Sequence, residues 1–230
     1  MERERPPFPL PSPPGLVIFD CDGVLVDSET IQNGVLTDML VRHGVPATVE
    51  DVMRRYIGWT IPALIEDVAA RTSVRLEHPW TADLYRETEA AFRSGLQPIA
   101  HVQELIRGLE HARIPFCVAS NGAVSKMHVS LGVTGLLGHF GDRLYSGHDM
   151  ERGKPFPDLF LHAAKVMGVA PEDSVVIEDS AAGLKAAQAA GMKALAYVAN
   201  PAHQPAELSG GHPFCNMRLV PELLGINPAD

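Results

Sequence analysis

Phe19-Asp20-Cys21-Asp22-Gly23-Val24-Leu25-Val26-Asp27-Ser28-Glu29 follows directly on the apolar run Leu16-Val17-Ile18-Phe19. A short apolar run of this kind, bounded by Gly and Asp, reads as a buried strand. Two carboxylates stand one residue apart where that strand should end, and Gly23 then lets the backbone turn. In open α/β sheets ligands bind beyond the carboxyl ends of the strands. Two like charges at that point need a cation or a shared proton. Asp and Gly are also ordinary turn residues, so the stretch by itself leaves turn and site both open.

Downstream, Ile31, Val35, Leu36, Met39 and Leu40 follow helical spacing, and Asp27 or Ser28 is placed to cap that helix. Val49 to Tyr56, Ile61 to Arg71 and Thr81 to Ser94 read as three more helices, with Gly58-Trp59 as a break and Thr60 as a cap. No strand pattern occurs between Ser28 and Gly95. From Gln97 the pattern changes to alternating strands and helices. Ile114 to Ala119 leads into a strand ending in Ser120-Asn121-Gly122, Arg143 to Ser146 is short, and Ser174 to Ile177 ends in Glu178-Asp179-Ser180. Lys193 to Tyr197 is a further strand. Such alternation implies a parallel sheet with right-handed crossovers. The expected fold is α/β, a Rossmann-like parallel sheet over residues 15–27 and 97–230 with a helical block inserted at 28–96. Residues 1–14, with prolines at 6, 7, 9, 11, 13 and 14, read as a flexible, disordered tail.

Composition narrows the function. A formal charge of −9 provides no basic stripe for nucleic acid. No apolar run reaches the ~20 residues of a membrane helix. The start, Met-Glu-Arg-Glu-Arg followed by prolines, lacks a secretory apolar centre. The 3 cysteines have no metal-like spacing and fit a reducing compartment. The expectation is a cytoplasmic protein with no nucleic-acid or membrane partner, its oligomeric state left open.

Chemistry-bearing residues gather at the strand ends. The first strand delivers Asp20 and Asp22, the next Ser120 and Asn121, another Glu178 and Asp179, and Lys154-Pro155 lies on a segment that proline keeps extended. Singly, each has a bland rival: a turn at Ser120-Asn121-Gly122, a solvated Lys154, a helix cap at Ser180. Together, and in this order, they read as one site. Carboxylates without His or Cys suit a hard, oxygen-ligated ion such as Mg²⁺.

In Asp20-Cys21-Asp22-Gly23-Val24, Ser120-Asn121, Lys154-Pro155 and Glu178-Asp179, the chain resembles the haloacid-dehalogenase-like phosphotransferases from Leu16 onward. It is similar in particular to the subfamily of β-phosphoglucomutases and small sugar-phosphate phosphatases, in which the helical insertion is a cap. A likeness to bacterial 6-phosphogluconate phosphatases rests on Ser120-Asn121-Gly122, Lys126-Met127, Ser146-Gly147-His148-Asp149, His162-Ala163-Ala164-Lys165 and Asp179-Ser180-Ala181-Ala182-Gly183. The resemblance implies Asp20 as nucleophile and Asp22 as acid–base. It implies Mg²⁺ on the Asp20 carboxylate, the Asp22 carbonyl and Asp179, supported by Glu178. Gly23, Ser120, Asn121 and Lys154 would hold phosphate, and Arg54, Arg55 and Trp59 are candidate cap contacts. The implied reaction is hydrolysis of a small phosphorylated metabolite: a sugar phosphate, or a sugar-acid phosphate such as 6-phosphogluconate. A sugar phosphomutase is the alternative, although Ile61 stands where family mutases carry a phosphate-gripping arginine. A non-catalytic phosphate-sensing module is a third reading, although no motif carboxylate is missing. His101 replaces a glycine usual at the second hinge of the cap.

Overall fold

The computed structural model describes residues 8–56, 61–199 and 208–226. The chain divides into two compact units, Asp27–Leu96 and the residues on either side of it.

The larger unit is built on a six-stranded sheet: β1 (Leu16–Phe19), β2 (Phe116–Ser120), β3 (Leu144–Ser146), β4 (Ser174–Glu178), β5 (Lys193–Tyr197) and β6 (His212–Phe214). All pairs are parallel, in the order β3-β2-β1-β4-β5-β6. β1, β2 and β4 are buried along their whole length. That explains why they read as continuous apolar runs rather than alternating ones, since both faces are covered. On one face Leu16, Ile18, Cys117, Ala119 and Val176 pack against α8 (Asp158–Met167) and α9 (Ala181–Ala189). Elsewhere in the unit Phe19, Phe116 and Phe140 meet edge to face, with centroids 5.3–6.4 Å apart. Phe140 comes from α7 (Leu137–Phe140), one turn and too short to leave a helical period in the sequence. α5 (Val102–His111) and α6 (Val124–Val133) complete the layers, and α10 (Val220–Leu223) lies near the end of the chain.

The order reverses between β1 and β4. In doubly wound sheets that switch point opens a crevice at the carboxyl ends of the strands. The register sets Phe19 beside Val118 and Ile177, so the residues following all three strands emerge together.

The smaller unit is helical: α1 (Ser28–Arg42), α2 (Val49–Tyr56), α3 (Ile61–Arg71) and α4 (Trp80–Gly95). It has its own core, including Met39, Leu40, Val52, Leu64, Val68, Trp80 and Leu84. Asp27 precedes α1 but makes no side-chain cap bond. Its carboxylate instead accepts a hydrogen bond from Thr30.

The structure corrects the sequence reading in two places. Residues 8–14 are part of the fold, not a free tail. Leu10 is buried, its N–H donates to the Leu223 carbonyl at 2.9 Å, and the Phe8 ring lies tilted against His212 with centroids 5.2 Å apart. Prolines rule out helix and interior strand, but they leave the apolar side chains between them able to anchor an extended segment. β6 is the second correction. It is three residues long, contains Pro213 and sits at the sheet edge, where a missing N–H is tolerated. His101 adopts a left-handed backbone (φ 68°), the conformation for which glycine is the default residue.

Candidate active site

Asp20 immediately follows β1, and its backbone N–H bonds the Ile177 carbonyl of β4 at 2.9 Å. The chain then folds tightly on itself: Leu25 and Val26 both donate to the Cys21 carbonyl, and Gly23 donates to Val26. Gly23 has φ +80°, and a Cβ there would stand 2.0 Å from Asp179 Oδ2. Only glycine allows the β1 turn to pass this close to the carboxylate that follows β4.

Lys154 enters from the loop before α8 and is buried. Its Nζ donates to Asp20 Oδ1 at 2.5 Å and to Glu178 Oε1 at 2.6 Å, and lies 4.9 Å above the Phe160 ring. The solvated-lysine reading is therefore excluded, with the side chain 3% exposed. Asn121 holds this loop in place. Its Oδ1 accepts from Lys154 N–H at 2.8 Å, and its Nδ2 donates to the Lys154 carbonyl at 3.1 Å. The Asn121 side chain is thus engaged by the lysine loop rather than presented to a ligand.

Glu178 is fully buried at the end of β4. Beyond Lys154 it accepts from Ser180 N–H at 2.8 Å and from Ser180 Oγ at 2.9 Å. The Ser180 hydroxyl in turn caps α9 through Gly183 N–H. Both Glu178 oxygens are therefore bonded within the protein, and its role in this structure is to fix Lys154 and the start of α9. A Cβ at Gly183 would fall 1.7 Å from Glu178 Oε1. At the end of β2, Ser120 is buried and its hydroxyl accepts from Gly122 N–H at 3.1 Å. Ser146 Oγ donates to the Gly122 carbonyl, tying β3 to the same turn.

The two aspartates have different surroundings. Burial, reinforced by the charges of Glu178 and Asp22, pushes the Asp20 carboxyl up to about 7, although Lys154 pulls it down. For Lys154, burial works to lower the ammonium, but the charges of Asp20 and Glu178 overcome it and hold it above the usual range. Asp22 is turned elsewhere. Its Oδ2 accepts from Lys126 Nζ, on the first turn of α6, at 2.8 Å. Lys126 is a site residue that the sequence reading had placed only within a likeness. Its partner is 104 residues away in sequence, and nothing local marks such a pair.

Asp20, Glu178 and Asp179 each offer a carboxylate oxygen, and these atoms lie within 4.8 Å of one another. An all-oxygen set of this kind fits a hard divalent cation. Asp20, Asp22, Ser120, Lys154, Glu178 and Asp179 thus surround the sheet's switch point. Arg54 and Arg55 lie in the helical unit, exposed on α2 and paired with Asp51 and Asp67 respectively. Trp59 lies outside the described residues.

A carboxylate at the end of β1, a buried lysine beside it and an acidic cluster that fits a cation thus meet at the switch point of the sheet. Residues 17–197 match the haloacid dehalogenase-like hydrolase family, and the chain belongs to that family. It is 35% identical over 208 residues to the 6-phosphogluconate phosphatase of Escherichia coli (strain K12), covering 90% of this chain and 93% of that protein. The phosphorylated carbohydrates phosphatase of Thermotoga maritima is 30% identical over 181 residues, covering 77% and 82%. Among solved structures, a family hydrolase from Deinococcus radiodurans R1 with bound phosphate and sodium superimposes with a TM-score of 0.80 at 28% identity, covering 94% of this chain and 99% of that one. With this site and these relatives, the chain is a phosphoric monoester hydrolase.

Proposed function

We propose that the protein is a cytoplasmic, Mg²⁺-dependent phosphatase of a small phosphorylated metabolite. The substrate class is a sugar phosphate or sugar-acid phosphate such as 6-phosphogluconate. The observation that carries the reading is Lys154 bridging Asp20 and Glu178 beside the Asp179 carboxylate. A buried ammonium against Asp20 supports the reading of that carboxylate as a nucleophile that must approach an anionic phosphate. The relatives that hydrolyse sugar-acid and carbohydrate phosphates support the substrate class.

Asp20 attacks phosphorus. The bond to the leaving oxygen breaks, its electron pair stays on that oxygen, and the Asp22 carboxyl gives it a proton. The aspartyl-phosphate so formed is opened by water, whose proton passes back to Asp22, while the electron pair of the broken P–O bond returns to Asp20. Ser120 and the Asn121 backbone, with the turn at Gly23, hold the phosphoryl oxygens, and Lys154 offsets their charge. Asp20, the Asp22 carbonyl and Asp179 would hold Mg²⁺, with Glu178 behind them. When bound, Mg²⁺ supplies charge neutralisation between nucleophile and phosphate. Arg54, Arg55 and Trp59 of the cap are proposed to contact the sugar portion. Exposed ion pairs such as Arg54–Asp51 contribute little stability and yield readily to an anionic ligand.

The test is a phosphate-release screen with and without Mg²⁺ over sugar phosphates, sugar-acid phosphates and nucleotides. Mg²⁺-dependent release from sugar or sugar-acid phosphates, abolished by Asp20→Asn, is expected. Preference for nucleotides, or release indifferent to Mg²⁺, would overturn the reading.

A further inference from the structure

Lys126 sits on the third residue of α6, one turn beyond the Ser120–Gly122 strand end. Its Nζ donates to Asp22 Oδ2 at 2.8 Å, with the two side chains 33% and 26% exposed. The pair is therefore neither buried in the core nor free on the surface. Four residues converge here: a Cβ built on Gly122 would stand 3.6 Å from Lys126 Cδ, 3.6 Å from Ser120 Oγ and 3.9 Å from Asp22 Oδ2. The helix is fastened in place beneath the turn. Ser130 Oγ donates to the Lys126 carbonyl at 2.8 Å and lies 3.9 Å from Cys21 Sγ, next in sequence to both aspartates. α6 thus carries Lys126 at a fixed distance from the β1 turn.

A partly exposed ion pair of this kind adds little to stability. Its cost in side-chain ordering is similar in size, so fold stability does not explain it. Its geometry has a chemical consequence. An ammonium N–H directed at one carboxyl oxygen disfavours a proton on that same oxygen, because it occupies a lone pair there and its positive charge lowers that oxygen's basicity. A proton carried by Asp22 is therefore favoured on Oδ1, and the Lys126 contact restricts how the carboxyl can turn. General acid–base transfer depends on this kind of alignment.

We infer that Lys126 is the positioning residue of the acid–base aspartate: by holding Asp22 Oδ2 it directs Oδ1, the oxygen that gives and takes the proton, toward the leaving group and the incoming water. The inference rests on the reading of Asp22 as the acid–base group. Lys126 forms no bond to phosphorus and exchanges no proton itself; the proton inventory is that of the two steps above. Its importance rises with the need for leaving-group protonation. An alkoxide leaving group needs a proton as the P–O bond breaks, whereas p-nitrophenolate leaves with little help.

The experiment compares p-nitrophenyl phosphate with an alkyl phosphate such as glycerol phosphate, using the full chain and its Asp22→Asn, Lys126→Met and Lys126→Arg variants with Mg²⁺. Asp22→Asn is expected to lose far more kcat on the alkyl ester than on the aryl ester. Lys126→Met should show the same skew, its alkyl loss exceeding its aryl loss by at least about tenfold, with Lys126→Arg recovering most of the difference and melting temperatures little changed. If Asp22→Asn shows no skew, the acid–base reading falls and the inference with it. If Asp22→Asn shows the skew but Lys126→Met loses both substrates equally, or raises only their KM, Lys126 is a structural or substrate-binding residue. The inference then fails while the reading of Asp22 stands.

Discussion

The Asn121 carboxamide takes the backbone of Lys154 at both ends, accepting from its N–H at 2.8 Å and donating to its carbonyl at 3.1 Å. The residue at the end of β2 therefore sets where the lysine side chain can reach. Gly147 and Gly153 make room for it, since a Cβ on either would stand 2.6 Å from Asn121 Oδ1. Asn121→Ala is expected to destabilise the protein by about 1–3 kcal/mol, the cost of orphaned backbone groups. It should also lower kcat by roughly tenfold to a hundredfold through misplacement of Lys154. Denaturant melts and steady-state kinetics on one preparation check both.

Lys154 is the cation between two buried carboxylates. Lys154→Met keeps the length of the side chain and removes its charge. Taking one partner from a buried ion pair costs about 3–5 kcal/mol, and turnover should fall to background. A Lys154→Met variant with near-normal urea midpoint would contradict the arrangement.

For Asp20 the sign of the pH effect follows from its raised carboxyl, about 7 in the folded protein against 3.8 ordinarily. Between those values the folded state binds more protons than the unfolded one, so stability falls as pH rises through that window. Metal-free protein is therefore expected to melt lower at pH 8 than at pH 5. Asp20→Asn, which carries no charge to bury, should flatten that difference while abolishing turnover. Added Mg²⁺ should raise the melting temperature of the natural chain at pH 8 more than that of the variant. Calorimetric or fluorescence melts in chelator and in Mg²⁺ measure all three.

Two glycine-to-alanine changes should act in opposite directions. At Gly183 the added Cβ falls 1.7 Å from Glu178 Oε1, and the displaced carboxylate would take Lys154 and the α9 cap with it. A loss of at least about 3 kcal/mol is expected. At Gly108, inside α5, nothing lies within 4 Å of the new Cβ, and alanine should add about 0.5–1 kcal/mol. Urea midpoints of the pair, measured together, test the contrast.

The parts of this architecture that repeat a local rule were legible in the chain. β1, β2 and β4 are buried on both faces, so their sequences are uninterrupted apolar runs, and the polar residues that end them stand out by contrast. Ser180 was readable as a cap because capping chemistry is local. Lys126–Asp22 was not, because the pairing depends on how α6 folds back over the β1 turn. The hold of the Asn121 side chain on the Lys154 backbone was not legible either, because its partner lies 33 residues away. Phe140 and Pro213 lie in elements of four and three residues, shorter than the period that would reveal them. Leu10 was masked by the prolines around it.

The bond from Leu10 to Leu223 has a consequence for connectivity. It brings the segment leading into β1 alongside α10, so that residues 10 and 223, far apart along the chain, are neighbours in space. A short peptide bridging those two positions would make the residues between them a circle, and new ends could then be opened at a surface turn such as Gly135. The strand ends that carry the candidate site would keep their neighbours in space while their order along the chain was rotated.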